Sequence, residues 1–360
     1  MTYKIPHLPF DTDLETKLIL KKVAKAHQAL AELKGETNSI PNENILITTL
    51  SLQEAQDSSA IENIITTQDE IFRTDSDASH YASPAAKEIH SYAKALRTGF
   101  TRVKETGLIS NNDILQIQSV IQENNAGFRK LPGTTLKNPR TQETVYTPPQ
   151  HPEEILDLMH NLESFLNDSH LSDWDPLVKM AVIHHQFESI HPFYDGNGRT
   201  GRIINILYLV KEDLLTIPIL YLSRYINRNK SQYYELLQKT RTENTWQEWI
   251  LYMLEGIEQT AQETIQQIHG IKKLMQRHKQ KMRTELPKIY SQELLNNIFQ
   301  HPYTKIEFVM KDLNVTRITA TRYLGELVNK GHLSLHKISN TNFYVNEDLY
   351  QFLLNGVIPP

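Results

Sequence analysis

Apolar residues recur every three or four positions along most of this chain, and this helical period limits its fold more than any other feature. It predicts helices over residues 13–33, 42–65, 84–106, 110–122, 152–168, 176–190, 233–240 and 246–254. Gly35 is the predicted stop of the first helix. Strand-like alternation is rare, and the chain has only 13 glycines. We therefore predict a mainly α protein.

The composition describes a folded chain with more than one domain. Its 360 residues exceed the usual length of a single domain, and 39% of them are hydrophobic. A net charge of -4 argues against a protein that covers nucleic acid along its whole surface. The absence of cysteine excludes disulfides and thiolate metal sites and fits a cytoplasmic location. No apolar run approaches the ~20 residues of a membrane span, so we expect no membrane partner.

Residues 127–150 depart from the helical pattern. This segment is rich in proline and glycine and contains one short β-type run, Thr144-Val145-Tyr146-Thr147. The pattern predicts a long loop with at best a small hairpin. Long loops in compact domains are typically functional.

The last part of the chain follows a different pattern. Pro287 breaks a long heptad-like helix over 254–283, whose apolar seam favours packing within its own domain over a homodimeric coiled coil. Three short helices are then predicted over 291–299, 305–313 and 316–330, the last capped by Thr316 and ended by Gly331. Residues 333–338 and 342–345 alternate as a hairpin around Ser339-Asn340-Thr341. This order is typical of a winged helix-turn-helix.

One segment between two predicted helices concentrates most of the chemistry. It reads His191-Pro192-Phe193-Tyr194-Asp195-Gly196-Asn197-Gly198-Arg199-Thr200-Gly201-Arg202. Its end is a helix N-terminus, where unpaired N–H groups and the helix dipole attract anions. Its glycines let the main chain approach a ligand closely. Arg199 and Arg202 project from neighbouring faces of the first turn, and two guanidinium groups there suit a polyphosphate.

Two other side chains of this segment complete a candidate nucleotide site. Asp195 supplies a hard oxygen ligand, as Mg²⁺ bound to a nucleotide requires. His191 has an ordinary pKa of ~6.5 and can accept a proton from a hydroxyl. A glycine-rich turn with a surface Asp–Arg pair is the simpler interpretation, and the density of reactive residue types argues against it.

This segment resembles the signature of the Fic family, His-x-Phe-x-(Asp/Glu)-Gly-Asn-Gly-Arg-x-x-Arg, without a departure. Nearly the whole chain resembles a Fic-type protein adenylyltransferase, or AMPylator. The 127–149 loop stands where that family has a hairpin flap that aligns the target side chain. The resemblance implies an N-terminal helical extension (1–89), a catalytic core (90–255), a connecting helix (256–287) and a winged-helix domain (288–360).

The resemblance also implies a role for each matching residue. His191 would deprotonate a Ser, Thr or Tyr hydroxyl of a target protein or of the enzyme itself, and Phe193 would anchor the loop. Asp195 would hold Mg²⁺ on the phosphates of ATP. The hydroxyl would attack the α-phosphorus, keep AMP and release pyrophosphate. The implied nucleotide-binding residues are Glu62, Gly196, Asn197, Gly198, Arg199, Thr200, Gly201, Arg202, Asn229 and Tyr233.

A second motif lies far upstream. The run Ser58-Ser59-Ala60-Ile61-Glu62-Asn63 resembles the inhibitory motif, (Ser/Thr)-x-x-x-Glu-(Gly/Asn), of Fic proteins that restrain themselves. Ser58 and Glu62 share one helix face. The motif implies that Glu62 pairs with Arg202 and displaces the γ-phosphate, that Ser58 hydrogen-bonds Glu62, and that Asn63 ends the helix. An exposed polar helix face is the alternative interpretation.

Other functions remain open at this stage. A phosphate-transferring branch of the fold carries Lys at the second glycine of the motif, so Gly198 favours AMP transfer. Removal of AMP from a modified target is not separated, since Glu62 could position a water molecule. A DNA-binding regulator would act through Arg317, Arg322 and Lys330 of the last predicted helix. The adjacent His184 and His185 are interpreted as structural residues rather than metal ligands.

Overall fold

Fifteen helices and five short strands make up the described part of the chain, which confirms the mainly α prediction. The structure is a computed structural model that describes residues 3–73, 83–137, 141–338 and 341–358. The helices are α1 (Lys17–Thr37), α2 (Glu43–Ile61), α3 (Gln68–Arg73), α4 (Pro84–Thr106), α5 (Asn111–Gln122), α6 (Pro152–Asn167), α7 (Pro176–Ile190), α8 (Asn197–Lys211), α9 (Leu222–Arg228), α10 (Lys230–Glu243), α11 (Trp246–Glu285), α12 (Gln292–Gln300), α13 (Ile306–Leu313), α14 (Arg317–Asn329) and α15 (Glu347–Asn355). The strands are β1 (Leu136–Lys137), β2 (Thr144–Tyr146), β3 (Tyr303–Thr304), β4 (Ser334–Ile338) and β5 (Thr341–Val345).

Capping residues explain where many helices begin. Asn42, Ser110 and Asp175 each stand just before a helix, and each side chain accepts a hydrogen bond from a main-chain N–H of the first turn. Pro152 and Pro176 occupy the first helical position, where a missing N–H has little cost. These local signals explain why the predicted starts of α5, α6 and α7 lie within one residue of the observed ones.

Two central helices are buried on all sides. Every residue of α7 after Pro176 is buried, and so is nearly every residue of α8. Helix α4 packs on α8 at Gly99, where a Cβ would collide with Leu207. The short loop between α7 and α8 is therefore held from both ends by rigid core helices.

The long helix α11 accounts for the heptad-like seam. Leu254, Ile257, Ala261, Ile268 and Ile271 are buried within the chain, and α1 packs along this helix. Intramolecular packing thus uses the seam, as its spacing favours. The helix runs unbroken through residues 255 and 256, where the core was predicted to end. It ends at Glu285, just before the predicted break at 287.

The C-terminal elements follow the order of a winged helix-turn-helix. Helices α12, α13 and α14 precede the antiparallel hairpin of β4 and β5, and Thr316 caps α14 as predicted. Strand β3 was not predicted, and it pairs with β5 to give the sheet order β3-β5-β4. The tip at Ser339-Asn340 lies outside the described residues. This unit packs against the N-terminal helices, since Tyr303 Oη donates to Asp69 Oδ1 at 2.6 Å.

Several predicted boundaries differ from the structure. Helix α1 begins at Lys17 and continues through Gly35 to Thr37, so Gly35 is not its stop. Helix α2 ends at Ile61, short of the predicted end at 65, because Asn63 has a left-handed φ of 65°. Helices α3, α9 and α15, which have six, seven and nine residues, were not predicted. Among the described helices, none has both the length and the apolar character needed to cross a membrane.

Candidate active site

A sharp turn joins α7 to α8 and leaves the start of α8 open. His191 follows α7 with φ 49° and ψ 58°, a left-handed conformation that is uncommon outside glycine. Gly196 has φ 82°, and a Cβ there would lie 3.0 Å from Gln122 Nε2. Helix α8 begins at the next residue, so its first N–H groups have no partners within the helix. This is the anion-binding geometry that the sequence predicts.

Asn197 holds the loop in shape. Its Oδ1 accepts a hydrogen bond from the Phe193 N–H, and its Nδ2 donates to the Phe193 carbonyl, both at 2.8 Å. Phe193 is fully buried, with its ring centroid 5.3 Å from that of Phe128. Because the Asn197 side chain is used within the loop, only its main-chain N–H is left for a phosphate.

Both arginines in the first turns of α8 are buried and already hold carboxylates. Arg202 Nη2 donates to Glu62 Oε1 at 2.8 Å, and Arg199 Nη1 donates to Glu88 Oε2 at 2.7 Å. The Arg202 and Arg199 side chains are 2% and 5% exposed. Two negative groups therefore occupy the guanidinium groups that a polyphosphate would need.

Glu62 lies over the first turn of α8. It caps the C-terminus of α2, and Asn63 then turns the chain away in the left-handed conformation that the motif implies. A Cβ on Gly198 would collide with both the Glu62 carboxylate and the Arg202 guanidinium. Burial opposes ionisation of Glu62, but the charge and hydrogen bond of Arg202 outweigh it and lower the carboxyl pKa. The carboxylate is therefore an anion at neutral pH.

Ser58 contacts Arg202 rather than Glu62. Its hydroxyl accepts a hydrogen bond from Arg202 Nε at 2.8 Å, and its carbonyl accepts one from Arg202 Nη2 at 3.0 Å. The predicted direct bond between Ser58 and Glu62 is thus replaced by contacts with a shared guanidinium. Ser58 and Glu62 lie one helical turn apart on the face of α2 that meets Arg202, so both bind its guanidinium.

His191 has the protonation state of a general base. Its main-chain N–H donates to the Phe187 carbonyl at 2.9 Å, and its main-chain carbonyl accepts a hydrogen bond from Arg129 Nε at 2.8 Å. Burial, followed by the charges of Arg129 and Arg241, lowers the pKa of His191 to about 4. The imidazole is therefore neutral at pH 7, which is the form that accepts a proton.

The other loop residues divide into an exposed and a buried set. Asp195 is exposed, and its Oδ1 accepts a hydrogen bond from the Gly196 N–H at 2.6 Å. Thr200 is fully buried. At Gly201 a Cβ would lie 2.9 Å from Glu188 Oε1, so this glycine serves the close packing of α8 on α7. Thr200 therefore presents no exposed side chain to a nucleotide and Gly201 has no side chain, so their implied nucleotide contacts stay predictions.

The two predicted nucleotide-binding residues that lie beyond α8, Asn229 and Tyr233, also differ in exposure. Tyr233 is 1% exposed, and its hydroxyl is hydrogen-bonded to His184 Nε2 at 2.9 Å, so it faces the core. The nucleotide contact that the resemblance implies for Tyr233 therefore stays a prediction. Tyr234 is 44% exposed beside it, and Asn229 is half-buried with its Nδ2 bonded to the Tyr225 carbonyl at 2.9 Å.

The paired histidines are structural, as interpreted from the sequence. His184 contacts Tyr233 and also receives a hydrogen bond from Asn205 Nδ2 at 3.0 Å. His185 contacts the Leu237 carbonyl through Nε2 at 3.3 Å. Burial lowers the pKa of His184 to about 3, so its ring stays neutral in the core.

Four charged residues around the loop were missed by sequence reasoning. Glu88 holds Arg199, and Lys230 Nζ donates to Asn63 Oδ1 at 2.9 Å. Arg129 and Arg241 are buried beside His191. These residues come from α4, α10 and the 127–150 loop, far from the motif in sequence. Among these four, only Arg129 has a sequence feature that could have indicated it, because it lies near the start of the glycine- and proline-rich loop.

The fold and the loop define a helical protein with an anion-binding helix start beside a neutral histidine. Three family models match this chain: "Fic/DOC family N-terminal" over residues 20–101, "Fic/DOC family" over 108–209, and "Protein adenylyltransferase SoFic-like, C-terminal domain" over 274–349. Together they span well over half of the chain and include the 191–202 loop. The chain belongs to the Fic/DOC family.

Similar curated proteins match only part of the chain. A protein adenylyltransferase Fic from Drosophila erecta is 32% identical over 90 residues, which are 25% of this chain and 17% of that protein. Protein adenylyltransferase fic-1 from Caenorhabditis briggsae is 35% identical over 63 residues, which are 18% of this chain and 12% of that protein. The match therefore spans less than a fifth of either relative.

Solved structures match the fold over a longer range. A Fic family protein from Desulfovibrio desulfuricans G20 covers 92% of this chain and 96% of its own, with a TM-score of 0.58 and 18% identity. A Fic-1 fragment from Caenorhabditis elegans covers 71% of this chain and 73% of its own, with a TM-score of 0.53 and 18% identity. At this identity the likeness establishes a shared fold.

Proposed function

We propose that this protein transfers AMP from ATP to a Ser, Thr or Tyr hydroxyl, on a target protein or on itself, and that Glu62 restrains the reaction. The carrying observation is the 191–202 loop, in which a neutral histidine ends one helix and two buried arginines begin the next. Membership of the Fic/DOC family and the names of the adenylyltransferase relatives support this choice of chemistry.

The position of the Glu62 carboxylate supports phosphate binding. This carboxylate lies against Gly198 and bonds to Arg202, so its oxygens are held as the oxygens of a phosphate would be. The main-chain N–H groups of Gly196, Asn197 and Gly198 would cradle the α- and β-phosphates at the open end of α8. Arg199 and Arg202 would bind the β- and γ-phosphates once their carboxylate partners are displaced.

His191 would take the proton of the target hydroxyl as its oxygen attacks the α-phosphorus. One phosphorus–oxygen bond forms to the target, the bond to the bridging oxygen breaks, and pyrophosphate leaves with the electron pair. Because the pKa of His191 is about 4, the base is ready at neutral pH. The protein contributes chiefly alignment and charge neutralisation, which dominate catalysis of phosphoryl-type transfer.

Asp195 would hold Mg²⁺. Its exposed carboxylate stands at the outer side of the loop and is fixed by the Gly196 N–H, and a hard oxygen donor suits this cation. Mg²⁺ held there would neutralise charge on the phosphates of ATP.

The alternative functions stay predictions. Gly198 favours AMP transfer over phosphate transfer, while AMP removal uses the same residues and is separated only by assay. DNA binding through α14 is not favoured by a specific contact. Arg317 of that helix is paired with Glu307 at 2.7 Å, although Arg322 is exposed. A homodimer likewise stays a prediction. The apolar seam of α11 is packed within the chain, so it does not favour a coiled coil between two copies.

Labelled ATP tests the proposed reaction directly. We expect a Glu62→Gly protein given ATP labelled at the α-phosphate to incorporate label, and the same protein given γ-labelled ATP to stay unlabelled. The reason is that AMP retains only the α-phosphorus. Mass analysis of the modified side chain gives the second readout. Incorporation of γ-label would instead identify a phosphotransferase, and loss of α-label from a modified target would identify AMP removal.

ATP should be preferred over UTP and CTP by at least about tenfold. The loop contacts only phosphates, so base selection must come from the segment around Asn229 and the exposed Tyr234. Initial rates of incorporation from each labelled nucleotide measure the preference, and a Tyr234→Ala protein should lose part of it. Equal rates from the three nucleotides in the parent protein would contradict this assignment.

A further inference from the structure

Arg129 is a buried arginine that has no carboxylate partner among the described residues. It is 1% exposed, and its guanidinium contacts main-chain carbonyl groups instead of an acidic side chain. A buried charge without a counter-ion is costly to a fold. The hydrogen bonds of Arg129 must therefore offset this cost, and the groups that it contacts indicate a function.

The contacts of Arg129 join two functional segments. Its Nε donates to the His191 carbonyl at 2.8 Å, and its Nη2 donates to the carbonyls of Pro149 at 2.9 Å and Ile190 at 3.4 Å. Its own N–H donates to the Pro192 carbonyl at 2.8 Å. Residues 129 and 149 lie at the two ends of the 127–150 loop, which we call the flap. One side chain thus ties both ends of the flap to the loop that carries His191.

The carbonyl that Arg129 holds belongs to the residue that ends α7. His191 is in the left-handed conformation, which is uncommon outside glycine. The direction of the imidazole depends on that backbone conformation. A charge-assisted hydrogen bond to the His191 carbonyl therefore stabilises the orientation of the imidazole as well as the turn.

A second buried arginine reinforces the same junction. Arg241 stacks on the ring of Tyr146 in the flap, with Cζ 4.1 Å from the ring centroid. The Tyr146 hydroxyl donates to the Ser189 carbonyl at 2.8 Å, and Arg241 Nε donates to Ser189 Oγ at 3.0 Å. The last strand of the flap is therefore attached to the residues just before His191.

We propose that Arg129 is a positioning residue, which fixes both ends of the flap to the His191 backbone so that the base meets a target hydroxyl presented on the flap. This role rests on the proposed function. Without the guanidinium fork, the flap and the imidazole move independently. A misplacement of about 1 Å between base and hydroxyl costs on the order of a hundredfold in rate.

Two substitutions in the Glu62→Gly protein separate geometry from charge. Arg129→Lys keeps the positive charge but loses the fork, and Arg129→Met loses both. We expect both proteins to lose about a hundredfold in kcat while KM for ATP stays unchanged. NMR titration of His191 without nucleotide should show its pKa near the parent value in Arg129→Lys and above the parent value in Arg129→Met, although burial and Arg241 still hold it below its ordinary value.

The NMR titration does not depend on transferase activity, so it distinguishes failure of the proposed AMP transfer from failure of the proposed role of Arg129. An inactive Glu62→Gly parent would contradict the proposed function, while the His191 titration would still test the contact with Arg129. Turnover within about twofold of the parent in a folded Arg129→Lys protein would overturn the positioning role. If Arg129→Met does not fold, Arg129→Lys alone decides. Arg283→Met, at an exposed arginine near the end of α11, is the control and should match the parent.

Discussion

Replacing Glu62 with glycine should raise self-modification by about a hundredfold. In the parent protein the Glu62 carboxylate holds Arg202 Nη2 at 2.8 Å, so that guanidinium is not available to a γ-phosphate. ATP could still enter, but its phosphates would be skewed and the α-phosphorus poorly aligned for attack. Removing the carboxylate frees the guanidinium. The initial rate of α-label incorporation into the purified protein, relative to the parent, measures the gain.

Asn63→Gly is the matched control for this substitution. Glycine tolerates the left-handed conformation of position 63, so the helix end is kept and Glu62 stays on Arg202. We expect the parent rate from this variant. An unchanged rate in Glu62→Gly, with intact fold and ATP binding, would instead leave Glu62 as an ordinary carboxylate at a helix end.

A double substitution tests whether the two residues act through one contact. Arg202→Ala should lower transfer whatever residue occupies position 62, because the γ-phosphate loses its guanidinium. The effects of Glu62→Gly and Arg202→Ala should therefore not add. Ser58 belongs to the same group, since it holds Arg202 Nε at 2.8 Å. Additive effects would show that Glu62 acts elsewhere.

Replacing His191 with alanine in the Glu62→Gly protein should abolish transfer while ATP binding stays nearly intact. The imidazole acts on the target hydroxyl, whereas the arginines and main-chain N–H groups of α8 hold the phosphates. Loss of general-base catalysis alone typically costs 10²–10⁴-fold. Label incorporation and an ATP-binding isotherm, measured on the same preparation, separate the two effects.

His170→Ala provides the matched control, because His170 is an exposed histidine in the loop before α7. It should modify itself at the parent rate. Transfer at that rate by His191→Ala would show that another group is the base.

Asp195→Ala should remove Mg²⁺ dependence together with activity. Since the pKa of His191 is about 4, kcat/KM should not fall through loss of the neutral base until the pH approaches that value.

Local sequence signals predicted the elements that depend on neighbours in the chain. The predicted bounds of α4 and α7 agree with the structure, in which Pro84 and Pro176 lie in the first turns and capping residues precede them. The chemistry of the 191–202 loop could also be predicted from the sequence, because its reactive residues are contiguous and each type has a distinct role. The predicted pairing of Glu62 with Arg202 could be stated in advance only through a family motif, since 140 residues separate the two.

Contacts between distant segments could not be predicted. The sequence alone did not show that Ser58 would bind Arg202 instead of Glu62, or that Tyr233 would face the core while Tyr234 stays exposed. Helical periodicity describes one face of one helix, whereas these outcomes depend on which other helix covers that face. The same reason explains why Gly201 serves the packing of α8 on α7.

The sequence by itself determined a mainly helical chain, a winged-helix order of elements after Pro287 and an anion-binding loop at 191–202, because each depends on residues within a turn or two of one another. Only the tertiary structure decided which groups meet at that loop. It brought Glu62 onto α8, buried the His191 ring and placed the guanidinium groups of Arg129 and Arg241 beside it, which lowers the pKa of the imidazole. Burial and long-range charge set that protonation state, and neither is encoded in any short stretch of residues.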